Sequence, residues 1–301
     1  MNIHLENINL QSTSGPNHFA HKLIGHLGSL DFRFKLDEAP DAYLCFIESH
    51  RRLFDKTPTF QRLDGIYFNK VQNFQLQNVN IQRTYSNATG VIFQSKFNRD
   101  LVTRYFGEHN NSVVIHNGAD VDKITQVDPI SNQTLDNYEN VWCCAASWRP
   151  HKRLRQNVDY FLTHAGLNDC LIVAGEVKDP SEVVSHDRVF YVGNLSVLML
   201  YALYRRAKYF IHLAWLDHCP NVVVDARAAG CHIVCSSAGG TSEIAGPNAT
   251  VVEEDVWDFE PVDLYNPPEL DFSRKINNTQ DVEYNMSIVA KKYAKFMKES
   301  L

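Results

Sequence analysis

The sequence predicts an α/β protein built from two similar layers of parallel strands. Short apolar runs alternate with longer amphipathic stretches along most of the chain, the order that gives strand–helix–strand units. The alternation begins twice, near Ile3 and again near Asn140, with a polar, proline-containing segment at 121–138 between the two series. Many of the apolar runs end in turns rich in Gly, Asn, Asp or Ser, and open α/β sheets bind ligands at the carboxyl ends of their strands. A chain of 301 residues is long enough for two moderate domains, which we place at 1–120 and 121–280.

In the first domain, residues 3–10 read as extended, 11–17 as a loop and 18–27 as a helix. This strand–loop–helix opening resembles that of nucleotide-binding α/β domains. Its single glycine, Gly15, is not a dinucleotide fingerprint. Gly15 either sits in an ordinary turn or lets the backbone approach a sugar or phosphate. Residues 32–36 and 42–47 read as further strands. Residues 59–68 read as a strand broken by Arg62, Asp64 and Gly65, which is either an Asp-Gly turn or the edge of a site. A helix at 70–86, a strand at 90–95, an amphipathic helix at 96–106 and a strand at 112–116 follow.

In the second domain, strand 141–146 runs into Ser147-Trp148-Arg149-Pro150-His151-Lys152-Arg153-Leu154 and then a helix to about 164. Strands follow at 170–174, 189–192, 209–213, 232–236 and 249–253, with a helix at 196–206 that Ser196 can cap. Residues 254–280 are acidic, rich in Pro and Asn, and read as loop. A terminal helix covers 281–301, with Ile288, Tyr293, Phe296 and Met297 on one face and lysines near its end.

The stretch 215–230 carries the sharpest pattern. A helix starting at Pro220 tolerates the missing proline N–H. It would point the Asn221 and Val222 N–H groups, backed by the helix dipole, at an anion such as a diphosphate. Asp217 precedes this start and Asp225 follows it, both better matched to sugar or ribose hydroxyls than to phosphate. The plainer reading is an acidic turn opening a surface helix.

Composition excludes several classes. Hydrophobic residues make up 44%, net charge is -6 and the sequence pI is about 6.1, with no basic block fit for nucleic acid. No apolar run approaches a membrane span and the start lacks a signal pattern; association with a membrane surface stays open, with no residue pattern to support it. The seven cysteines lie mostly in apolar runs and read as buried thiols of a cytoplasmic protein. Cys231, His232 and Cys235 share one strand without the further ligands that a structural zinc site needs, so no metal is expected.

With these motifs in view, the second half resembles the retaining glycosyltransferases of GT-B fold, family four. The resemblance rests on Asp217 and Asp225 eight positions apart, Gly239-Gly240-Thr241-Ser242-Glu243-Ile244, and the Arg149…Lys152 segment. It rests too on Val91-Ile92-Phe93-Gln94-Ser95 followed by Val114-Ile115-His116-Asn117-Gly118-Ala119-Asp120. It covers residues 88–253 well and the first 80 weakly. It implies two Rossmann-like domains facing across a cleft, the first shortened and acceptor-side, the second holding the donor, with helix 281–301 packing back on the first.

By the resemblance, Asp217 contacts the donor sugar and Asp225 the ribose, Asn221 and Val222 hold the diphosphate through backbone N–H groups, and Arg149 and Lys152 neutralise it. Gly15 stands near the donor phosphates or sugar. The implied reaction moves a sugar from a nucleotide diphosphate sugar to a hydroxyl of a glycan, lipid or small molecule, with retention and without metal or other cofactor. The chain departs from the family pattern in having Asp where Glu is usual at both acidic positions. Its Arg–Lys spacing is two residues shorter, which makes Arg153 an alternative to Lys152. The usual first-domain histidine has no clear match, and His50, Arg62 and Asp64 compete for its place; we carry Asp64 as the catalytic candidate. A nucleotide-sugar epimerase and a non-catalytic nucleotide-sugar binding protein are the alternative readings. A dinucleotide oxidoreductase lacks its Gly-x-Gly-x-x-Gly element.

Overall fold

The computed structural model describes residues 1–12, 14–51 and 56–301; Thr13, within the stretch 11–17 read as a loop, lies outside the described residues. The chain forms two compact units. One comprises Met1–Gly118, Asp258–Val262 and Glu283–Leu301, the other Ala119–Trp257 and Asp263–Val282.

The first unit holds β1 (Ile3–Glu6), α1 (Gly15–Gly28), β2 (Ala42–Phe46), β3 (Thr59–Leu63), α2 (Phe74–Asn87), β4 (Gly90–Phe93), α3 (Lys96–Phe106) and β5 (Ser112–Val114). Its five strands are parallel and lie in chain order, β1-β2-β3-β4-β5. Helices start where side chains can satisfy exposed amides: the Asn73 side chain accepts from Leu76 N–H and Ser95 Oγ from Asn98 N–H. The terminal helix, Met286–Glu299, belongs to this unit and buries Met286, Val289, Tyr293 and Met297 with Phe19, Leu23, Leu44, Phe46 and Phe60.

Three local expectations change here. Residues 32–36 are not a strand; only Arg33 bridges to Asn2, because Phe32 drops into the core from an irregular loop. Gly15 is the first residue of α1 and not a loop residue, since Pro16 fits the first turn of a helix. Ile288 is 39% exposed, and the helical period puts Met286, Val289 and Ala290 on the buried face instead.

Arg62 does not break its strand. It is a buried member of β3, 1% exposed. It is ion-paired with Asp64, donates from Nε to Tyr293 Oη (3.1 Å) and from Nη2 to Asn117 Oδ1 (2.7 Å), and lies 4.1 Å from the Phe19 ring centroid. A buried guanidinium is tolerated when its donors and charge are matched in this way.

The second unit holds α4 (Val121–Gln126), β6 (Val141–Ala145), a 3-10 turn (Pro150–Lys152), α5 (Leu154–His164), β7 (Cys170–Ala174), β8 (Val189–Gly193) and α6 (Val197–Arg206). It continues with β9 (Tyr209–His212), α7 (Asn221–Ala228), β10 (His232–Ser236), α8 (Thr241–Ile244), β11 (Thr250–Val252) and β12 (Lys275–Asn277). Segment 121–138, read as a connector, thus contributes a helix to this unit, and the loop region 254–280 contributes a short strand. The sheet order is β12-β11-β10-β9-β6-β7-β8, parallel except for β12. The order therefore reverses between β6 and β9. Loops leaving two such strands diverge to opposite sides and open a crevice at their carboxyl ends, the place where doubly wound sheets bind ligands.

All seven cysteines are buried thiols. Among the described residues no helix is long and apolar enough to cross a membrane.

A close backbone approach fixes the loop after β9. Gly239, at φ +99°, bridges to Asp217, and a Cβ added there would lie 2.5 Å from the Asp217 carbonyl oxygen and 2.8 Å from its nitrogen. Gly240 N–H donates to the same carbonyl at 2.7 Å.

Gly239→Ala meets both a left-handed backbone and this contact. We expect a destabilisation of more than about 1 kcal/mol, measured as a lower unfolding midpoint in urea. Tyr293→Phe removes the acceptor from buried Arg62 Nε and should cost about 1–3 kcal/mol, measured the same way; no change would show that Arg62 is satisfied without it.

Candidate active site

The site is built at the β6/β9 reversal. The chain leaving β6 turns through Pro150–Lys152 into Arg153, whose φ of +53° starts α5 from a left-handed residue. That strained turn is held by a buried ion pair. Arg153 Nη1 and Nη2 donate to Glu254 Oε1 (2.8 Å) and Oε2 (2.6 Å), and to the Leu213 and Pro268 carbonyls. Arg153, weighed as an alternative to Lys152, is thus buried inside the unit. Asn157 ties the turn to β9: its amide donates to the Lys152 and Arg153 carbonyls while its Oδ1 accepts Leu213 N–H. The His151 carbonyl accepts Trp215 N–H at 2.7 Å. The segments after β6 and β9 are therefore bonded to one another along their length.

This bonding brings Lys152 onto Asp217, 65 positions away in sequence. Lys152 Nζ donates to Asp217 Oδ2 at 2.5 Å, His212 Nε2 contacts the same oxygen at 2.9 Å, and His218 N–H donates to Oδ1 at 2.9 Å. Burial alone would raise the carboxyl's pKa. The Lys152 charge and the His212 hydrogen bond overcome it and hold Asp217 well below the usual carboxylate range. The neighbouring imidazoles go the other way. Burial, with the Lys152 charge, pushes His151 down to about 3 and His218 down to about 4. Burial also lowers His212, against the opposing pull of Asp217. At neutral pH the cluster is thus one ion pair surrounded by three uncharged histidines.

The helix expected to hold an anion begins one residue later than the sequence suggests. Pro220 is the N-cap of α7, with extended ψ of 121°, and not its first helical residue. Val223 and Val224 N–H turn back to the Pro220 carbonyl, which leaves the amides of Asn221 and Val222 at the helix's opening turn. That turn contains no acidic residue to compete with an anion. Asp225 lies deeper in α7 and is 4% exposed. Burial, with Asp225 and Asp120 adding to it, pushes the Tyr201 hydroxyl far up. Arg149 stands exposed at the entry to the 3-10 turn.

The remaining candidates belong to the first unit. Gly15 is exposed at the start of α1. His50 is exposed, 3.7 Å from Glu48 Oε1. Asp64 is ion-paired with buried Arg62. Of the Cys231-His232-Cys235 set, Cys231 donates to the Tyr204 and Ala207 carbonyls and His232 Nε2 contacts Thr250 Oγ1.

Sequence reasoning missed His212 and His218. His212 sits within the apolar β9 run and reads there as a core position; the legible signal was a histidine at a strand's carboxyl end, five residues before the acid.

Comparison with known proteins matches residues 139–260 to the family model for glycosyl transferases group 1. No curated protein matches the chain. Among solved structures, sucrose-phosphate synthase from Thermosynechococcus elongatus is similar at 11% identity and TM-score 0.68, over 99% of this chain and 98% of that one. HepE of Anabaena, solved with UDP-glucose, is similar at 13% identity and TM-score 0.64, over 99% and 100%. AviGT4, a glycosyltransferase involved in avilamycin A biosynthesis, is similar at 12% identity and TM-score 0.64, over 99% and 97%. The chain has the fold of the GT-B glycosyltransferases, and its second unit carries the match to glycosyl transferases group 1.

Proposed function

We propose that this protein transfers a sugar from a nucleoside diphosphate sugar to a hydroxyl of a glycan, lipid or small molecule, with retention of anomeric configuration and without a metal. The observation that carries the reading is the meeting of Lys152, Asp217 and the α7 start at the point where the second sheet reverses. The group 1 match over 139–260 spans all three.

The chemistry follows from charge. Breaking the glycosidic bond delivers a growing negative charge to the diphosphate. The α7 amides and its dipole are fixed donors for that charge, and Arg149 and Lys152 supply cations, so no reorganisation is needed as the bond breaks. Lys152 is held in place by Asp217, and Asp217 Oδ1 keeps acceptor capacity beyond its bond to His218 N–H, enough for a sugar hydroxyl. Asp225 takes the ribose hydroxyls. Among the described residues of the cluster, the carboxylate of Asp217 is bound to Lys152, which disfavours its attack on the sugar to form a covalent intermediate. We therefore assign same-face attack, in which the acceptor hydroxyl passes its proton to the departing phosphate.

UDP-glucose, the ligand in the HepE structure, is the first donor to try. NMR of the product should show the anomeric configuration of the donor, with turnover unchanged by a chelator; an inverted product overturns retention, and loss of activity in chelator overturns metal independence. Arg149→Ala should lower kcat by roughly tenfold or more while raising the donor Kd much less, because its charge matters most as phosphate departs. Equal losses in kcat and affinity would make Arg149 a binding residue only.

A further inference from the structure

We propose that His212 is a positioning residue for the donor site, fixing the Asp217 carboxylate and through it Lys152; this rests on the glycosyltransferase reading only for its effect on turnover. His212 closes β9 and is 4% exposed. Its ring lies nearly parallel to that of Phe210, 6.4 Å between centroids, and its Nε2 reaches Asp217 Oδ2 at 2.9 Å. An ionised carboxylate only accepts, so Nε2 carries the proton and Nδ1 the lone pair.

The arrangement is asymmetric in a useful way. Lys152 and His212 both take Oδ2, from the β6 and β9 sides of the reversal, while among the described residues Oδ1 accepts from the loop's own His218 N–H. Two donors on one oxygen stop rotation of the carboxylate and point Oδ1 in one direction. A lysine alone, on a flexible four-carbon stem, would not do this. The His212 backbone is in turn held in β9, in register with Cys235 of β10, and its side chain is buried. The charged and titratable groups that bear on the pair are Lys152, His151 and His218, with Arg149 acting through His151. Within that set His212 is the one neutral side-chain donor to Asp217, and its loss raises the carboxyl's pKa without changing the net charge.

The test compares His212→Phe, which keeps the ring and removes the donor, with His212→Gln, whose amide nitrogen can restore it. Carboxyl 13C NMR, assigned with Asp217→Asn, should show Asp217 titrating at higher pH in H212F than in the unaltered protein, and near the original value in H212Q. The acid limb of kcat/KM for UDP-glucose should move up by the same amount in H212F, with kcat/KM at neutral pH falling roughly tenfold. A packing role would lower the melting temperature and leave the titration and the acid limb unmoved; that result overturns the proposal. Should H212F not fold, 15N NMR of the unaltered protein decides: protonated Nε2 at neutral pH supports the proposal, protonated Nδ1 overturns it. The NMR readings need no turnover, so absence of sugar transfer by the unaltered protein overturns the functional reading and not the positioning role.

Discussion

One carboxylate oxygen, Asp217 Oδ2, joins the two halves of the second sheet. The ammonium of Lys152 reaches it from the end of β6 and the imidazole of His212 from the end of β9. These two strands adjoin at the reversal of strand order, so the loops leaving them would otherwise diverge. Bringing a lysine and an aspartate out of water costs several kcal/mol per ion, and their attraction offsets this only with good geometry and further hydrogen bonds. The His212 ring and the His218 amide supply those bonds. Keeping the nearby imidazoles uncharged leaves the pair with no competing cation among them. The fold thus brings Lys152 to the crevice already paired with Asp217, and under the proposed reading Arg149 and the α7 start add to the positive charge that Lys152 offers there.

A different use of arginine frames each unit. Arg62 in the first and Arg153 in the second are fully buried, each paired with a carboxylate, Asp64 and Glu254. Guanidinium suits this duty because its planar fork meets several acceptors at once and it never loses its charge. Arg153 spans the Leu213 carbonyl, Glu254 and the Pro268 carbonyl, and so fixes the left-handed turn that aims Lys152. The neighbouring basic residues 149, 152 and 153 therefore have three separate fates: exposed, paired at the crevice, and buried in the frame.

Much of this was legible in sequence where the signal is local. Continuous apolar runs located β7 and β10 to the residue, and the amphipathic stretch located α3. Ser196 marked the start of α6 through its side-chain oxygen, which accepts Met199 N–H. Nonlocal matters were not legible. Lys152 and Asp217 were each singled out, but toward a phosphate and a sugar; that they meet depends on a strand order that no local pattern encodes. Arg153 competed with Lys152 on spacing alone, and only Glu254, 101 positions later, separates them. Residues 32–36 have strand-like composition yet serve as a loop that drops Phe32 into the core, because tertiary packing overrides β-propensity.

The geometry also suits aspartate at 217, where the resemblance to family four implies glutamate. Leu216 is in the left-handed region at φ +54°, and Gly239 and Gly240 press on the Asp217 backbone through a bridge and a 2.7 Å hydrogen bond. The Cα of residue 217 is thereby held against the sheet end. From that position a one-carbon stem reaches both Lys152 Nζ and His212 Nε2. A second methylene would carry the carboxylate past the imidazole, which is fixed in β9 and cannot follow, and would add a rotatable bond to a group whose orientation matters. The short side chain and the buried histidine are thus matched features: each makes sense of the other, and neither would hold Lys152 at the crevice alone.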